Sequence, residues 1–107
     1  MKPSVDSLFK ALGDPTRRAI FEELSRRGEQ TVHVLTEFSG VSQPAVSKHL
    51  AALKVAGLVR LRREGRETHY RIRPDGIAPL VGWLSFYSAF WGGRFDRLED
   101  LLRRMDK

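Results

Sequence analysis

The hydrophobic period changes twice along this chain, and that switching excludes most architectures before composition is weighed. Over residues 5–56 apolar side chains recur every three or four positions, the spacing of helices with one buried face. Over residues 59–73 they alternate with arginines, the period of a strand with one face on a core. Over residues 77–105 the helical spacing returns. Four short helical segments, a hairpin and a final helical stretch in 107 residues leave room for one modest core and no large sheet. No Ser/Gly/Pro-rich linker or repeat divides them, so residues 1–107 read as a single domain.

The punctuation is as informative as the period. Val5, Leu8, Phe9 and Leu12 form a first stripe that Gly13 ends. Asp14-Pro15 opens a second helix, because an Asp N-cap accepts orphan N–H bonds and Pro is tolerated at the first helical position. Ile20, Phe21 and Leu24 form its stripe, and Gly28 is its stop. Residues 31–39, with Val32, Leu35 and Phe38, read as a strand residue leading into a short helix, followed by a Gly40-Val41 turn. Ser42 then caps a helix over about residues 43–56, with Val46, Leu50 and Leu53 inward and Gly57 at its end. In the hairpin, Val59, Leu61, Tyr70 and Ile72 alternate with Arg60, Arg62, Arg71 and Arg73 around a tip of residues 63–67, where Gly65 supplies a positive φ. Pro74-Asp75-Gly76 closes it. The last stripe is Leu80, Leu84, Tyr87, Trp91, Phe95, Leu98, Leu102 and Met105, widened by Trp83, Phe86 and Phe90 and interrupted at Gly92-Gly93. The expected fold is mainly α with a two-stranded β-wing, a winged helix-turn-helix: recognition helix about 43–56, wing about 58–73, terminal helix about 77–105.

Charge then narrows the partner. Lys plus Arg number 19 against 13 Asp plus Glu, a formal net charge of +6 that favours polyanions, nucleic acid first and an anionic membrane surface second. Placement decides between them. A helix entering a major groove roughly 12 Å wide needs one packed face and one small, polar face. Around residues 43–56, Pro44, Ser47, Lys48, Ala51 and Val55 fall opposite the packed stripe, Gln43 stands at the N-terminal end and His49 lies on the flank. Alone, this helix reads equally well as an ordinary amphipathic one. The hairpin tips the balance, since Arg60, Arg62, Arg63, Arg66, Arg71 and Arg73 crowd one ribbon with only Glu64 and Glu67 as local counter-charges. Arginine suits phosphates and a narrow minor groove. The expected contacts to double-stranded DNA are Ser42, Gln43, Pro44, Ser47, Lys48 and His49 with Arg62, Arg63, Arg66 and Arg17. Rival readings are a winged-helix protein-interaction module without DNA binding, and a binder of structured RNA or left-handed duplex.

Several classes are excluded. The chain has no cysteine, no glycine-rich phosphate loop and no carboxylate pair distinct from its ion-pair pattern, so neither an enzyme nor a cofactor is expected. The first residues lack the apolar core of a signal peptide, and no apolar run approaches the roughly 20 residues that span a bilayer. The expected compartment is the cytoplasm.

The segments Ala11-Leu12-Gly13-Asp14-Pro15-Thr16-Arg17-Arg18 and Val41-Ser42-Gln43-Pro44-Ala45-Val46-Ser47-Lys48-His49-Leu50, followed by Ala56-Gly57-Leu58-Val59 and the arginine-rich wing, resemble the ArsR-type winged-helix repressors. The resemblance runs over nearly the whole chain. It implies a homodimeric transcriptional regulator, usually a repressor, whose first and last helices form the dimer interface, here Val5, Leu8 and Phe9 with Leu80, Trp83, Leu84, Tyr87, Trp91, Phe95, Leu98 and Leu102. The residues lead to a dimer independently, because the terminal aromatic stripe exceeds what a small helical body can cover. Paired recognition helices then suit a palindromic site. Two features depart from the family pattern of metal sensing. Thr31-Val32-His33-Val34-Leu35 stands where some members carry paired cysteines, and the terminal helix holds Asp96, Glu99, Asp100 and Asp106 among arginines but no histidine. His33, His49 and His69 fall in separate elements. The chain therefore looks like the metal-independent, autorepressor-like branch, with Phe90-Trp91 near its end; no metal ligand is assigned, and no small-molecule effector is identified.

Overall fold

The computed structural model describes residues 4–91 and 93–105, with the side chains of Trp91 and Phe95 outside that description. Helix starts follow their caps. Ser4 and Ser7 form a reciprocal capping box at α1 (Val5–Leu12). At α2 (Pro15–Arg27) the Asp14 carboxylate accepts from the Arg17 N–H at 2.9 Å, and Pro15 fills the first turn. Gly28, at φ +80°, turns the chain into β1 (Gln30–Thr31). Thr31 caps α3 (Val32–Ser39) through the Val34 N–H, and Gly40, at φ +72°, ends it in the left-handed region. Ser42 caps α4 (Gln43–Val55). Beyond it Gly57 donates to the Lys54 carbonyl and Leu58 to that of Leu53, the paired bonds of a Schellman stop.

The wing is β2 (Val59–Glu64) and β3 (Glu67–Ile72), closed by a two-residue loop, Gly65-Arg66, with Gly65 at φ +61°. The expected five-residue tip is thus shorter, because pairing continues through Arg63↔Thr68 to Glu64↔Glu67. The sheet also has three strands rather than two. β1 adds to the outside of β3, giving the antiparallel order β1-β3-β2 with Gln30↔Tyr70 and Thr31↔His69. A two-residue strand carries no periodicity, which is why the sequence pattern misses it.

A 3-10 turn (Pro74–Ile77) leads to α5 (Ala78–Trp91), and α6 (Arg94–Met105) follows. The terminal helix expected over 77–105 is therefore two helices. Each glycine costs a helix interior about 1 kcal/mol relative to Ala, so the Gly92-Gly93 pair is where a break is least expensive. Gly92 itself lies outside the described residues.

Leu8, Ile20, Leu24, Leu35, Val46, Leu50, Leu53, Leu58 and Val59 are fully buried together, joining α1–α4 to the root of the wing. Leu8 corrects one expectation. Assigned above to a dimer surface, it is 0% exposed inside its own protomer's core, so it offers no area to a partner.

Candidate nucleic-acid interface

The α3–Gly40–α4 unit and the wing meet at a cleft of about 300 Å³. Its walls include Gln43 and Ser47 from α4 and Arg63, Arg66 and Thr68 from the wing, with Thr31 and His33 from the start of α3. The sequence already dictates this meeting. Val46, Leu50 and Leu53 anchor one side of α4, which turns Gln43, Pro44, Ser47 and Lys48 to the surface. On the wing, buried Tyr70 and half-buried Leu61 face each other on the packed side. Strand alternation places Arg63 and its partner Thr68 on that same side, toward α4.

Alternation sends Arg62 the other way. Its guanidinium is taken up by two carboxylates: Nη2 donates to Glu29 Oε2 at 2.8 Å, Nε lies 3.1 Å from both Glu29 oxygens, and Nη1 donates to Glu64 at 2.9 Å. Those bonds hold Arg62 well above its ordinary value, and the same Arg62 hydrogen bond holds Glu29 below its own. The expected grouping of Arg62 with Arg63 and Arg66 is therefore not what the geometry brings together. Arg63 and Arg66 share the cleft, whereas Arg62 is committed to an ion-pair network on the opposite face of the sheet.

Arg17 and His49 are joined to each other. Arg17 Nε donates to His49 Nδ1 at 3.3 Å and Nη1 lies 3.5 Å from the Ala11 carbonyl, bracing the start of α2 against α1 and α4. Asp14, beneath Arg17, is held below the usual carboxylate value first by the Arg17 backbone N–H. Sequence reading did not assign Thr68 to the site, although the register partner of an inward Arg63 was the available signal. His33 Nε2 lies 3.2 Å from Glu37 Oε1, and its position at the cleft was not foreseen.

The apolar surface lies elsewhere. Phe9 of α1 stacks edge-on against Trp83 of α5 at 5.2 Å, and the Trp83 and Tyr87 rings lie tilted to each other at 4.7 Å. Phe9, Trp83, Leu84, Leu98 and Leu102 nonetheless stay exposed, while Val5, Leu80 and Tyr87 are half-buried. Trp91 and Phe95 fall outside the described side chains. Among the described residues no helix is long and apolar enough to cross a membrane.

Helix-turn-helix plus wing is the architecture expected of a DNA-binding regulator, and comparison with known proteins gives that class. A helix-turn-helix domain family matches residues 12–62. The HTH-type transcriptional regulator YuzN of Bacillus subtilis is 38% identical across 78% of this chain and 99% of its own. A repressor assigned to a mercury resistance operon of Streptomyces lividans is 41% identical across 68% of this chain, which spans only 58% of that protein. Among solved structures, an ArsR family transcriptional regulator superposes with a TM-score of 0.73 at 32% identity, covering 81% of this chain and 89% of the other. The homodimeric winged helix-turn-helix DNA-binding domain Mb0332 of Mycobacterium bovis superposes at 0.64 with 33% identity, covering 79% and 78%. The chain belongs to the ArsR family of winged helix-turn-helix transcriptional regulators. Its relatives are DNA-binding regulators and repressors rather than enzymes.

Proposed function

We propose that two copies of this chain bind one palindromic duplex. Each lays α4 in a major groove while Arg63 and Arg66 of its wing grip the flanking backbone or enter the minor groove. The observation that carries this reading is the shared cleft, which brings the polar end of the recognition helix and two wing arginines onto one surface. Gln43 and Ser47 read base edges, Ser42, Pro44 and Lys48 line the approach, and the Arg17–His49 pair braces α4 from behind. A promoter occupied this way is closed to polymerase, which makes the regulator a repressor working in the cytoplasm.

The pairing surface is the apolar side of α1 and α5 continued along α6, with exposed Phe9, Trp83, Leu84, Leu98 and Leu102 at its centre. Exposed apolar patches of this kind mark interfaces, and the homodimeric Mycobacterium bovis relative supports the same assembly. A two-fold pair sets the two α4 helices roughly 34–36 Å apart, one turn of DNA. We also propose that no metal ion releases the DNA. Cysteine is absent, and among the described residues no group of three or more His, Asp or Glu is placed to hold a cation. The relative assigned to a mercury resistance operon makes mercury the first ion to try.

The test is duplex selection from a random pool, followed by affinity against salt with and without added zinc, mercury and arsenite. Arg63→Ala lowers the slope of log K on log salt by about 0.9 for a single protomer and about 1.8 for a two-fold dimer, because the symmetric complex loses two phosphate contacts. An unchanged slope, or release by any of the three ions, overturns the corresponding part of the reading.

A further inference from the structure

The outer face of the wing carries a network that the interface does not use. Gly28 turns the chain out of α2, and Gln30 fixes the turn by donating from Nε2 to the Glu23 and Gly28 carbonyls, both at 3.3 Å. Glu29, held between them, reaches Arg62 of β2. His69 lies along the same row, opposite Arg62 on one side and Thr31 on the other. Its Nδ1 is 4.0 Å from Glu29, and its Nε2 is 3.8 Å from both Glu64 and Glu67. The Glu29–Arg62 link therefore crosses the whole width of the sheet. Its Arg62 end lies in the last row that β1 supports, while Glu29 stands just before β1, and beyond Thr31↔His69 the wing is only two strands: Arg63↔Thr68, Glu64↔Glu67 and the Gly65-Arg66 loop. Two-stranded ribbons are marginal by themselves.

We propose that Glu29 is a positioning residue for DNA binding: fixed just before β1 and bonded to Arg62 in the last row that β1 supports, it straps the free part of the wing so that Arg63 and Arg66 are already aimed at the α4 cleft when DNA arrives. Glu29 touches no DNA, and Arg62 serves as its anchor rather than as a phosphate contact. The proposal rests on the DNA-binding reading above. A slack wing can still reach the same phosphates, but ordering it on binding costs conformational entropy. Affinity falls while the number of phosphate contacts does not.

The experiment measures affinity and salt slope on one mixed-sequence duplex for Glu29→Gln, Arg62→Gln, the double variant and the reversed pair Glu29→Arg/Arg62→Glu. Expected are losses of about fivefold for each single variant, as two exposed ion pairs permit, and no further loss in the double. The reversed pair regains most of the affinity, and the slope stays unchanged throughout. Arg62→Gln lowering the slope while Glu29→Gln tightens binding would make Arg62 a withheld phosphate contact and overturn the proposal, as would unchanged affinity in all four. Arg63→Ala run alongside separates the two levels. If it weakens binding and the Glu29 variants do not, only the strap fails; if it too does nothing, the DNA-binding reading of the wing fails.

Discussion

The two faces of the wing are built from neighbouring residues and behave as opposites. On the inner face Leu61 and Tyr70 pack downward, and Arg63 and Thr68 continue that face into the cleft beside Gln43 and Ser47. On the outer face Arg62 and His69 sit among the carboxylates of Glu29, Glu64 and Glu67. A count of arginines along the ribbon treats both alike. The pleat separates them into a face whose positive charge opens on the cleft and one whose charge near the tip is largely consumed within the protomer. What separates Arg63 from Arg62 is the parity of its position, not its residue type.

The largest effect is expected where both faces share a root. A Cβ on Gly76 would run into the Gly57 carbonyl oxygen and Leu58 Cα, backbone atoms that cannot swing aside. Gly76→Ala should cost about 1–3 kcal/mol by overpacking, read as a lower denaturation midpoint, and should blur the difference between the faces by shifting the wing bodily. Next comes the comparison itself. Arg63→Ala or Arg66→Ala should weaken duplex binding on the order of tenfold and lower its salt slope, whereas outer-face Arg60→Ala and Arg71→Ala should change affinity less than about twofold. Equal losses on the two faces would break the comparison. Gln43→Ala and Ser47→Ala sharpen it from the α4 side. They should relax base preference at one position in each half-site by about 1–3 kcal/mol while leaving the salt slope alone, as repeated selection from a random pool would reveal.

Much of this was legible in the chain because it is local. The caps Asp14 and Ser42, the Gly57 stop and the Val46, Leu50, Leu53 stripe each depend on residues within a few positions of one another. The site failed to be legible where a long-range partner decides. That Arg62 is taken up by a carboxylate shows only when Glu29, 33 residues earlier, is brought beside it. Parity alone would have separated the two arginines, had the strands been carried through to the Gly65-Arg66 loop instead of stopping at Arg62. Leu8 was misassigned for a related reason. A short stripe of Val5, Leu8, Phe9 and Leu12 does not say which members face the protomer and which face away, and only the packed core puts Leu8 inside and leaves Phe9 half in solvent.

The smallest effect is a pH dependence that tests whether the outer face is a self-contained network. Glu29 is held below its ordinary value of 4.5, chiefly by its hydrogen bond to Arg62. A carboxylate whose folded-state value is depressed contributes stability that is fully present above the ordinary value and is lost as pH falls through the folded one. Acidification from about pH 6 to below about pH 4 should therefore lower the melting temperature of the native chain more than that of Glu29→Gln, whose side chain does not titrate. Asp14, lowered mainly by the Arg17 backbone N–H, titrates in the same direction in both proteins and cancels in the difference. The group is exposed, so the gap between the two curves should be small and should shrink further in high salt. Curves that run parallel across the whole range would mean that the Glu29–Arg62 contact is not maintained in solution, and the two faces of the wing would then differ in shape alone.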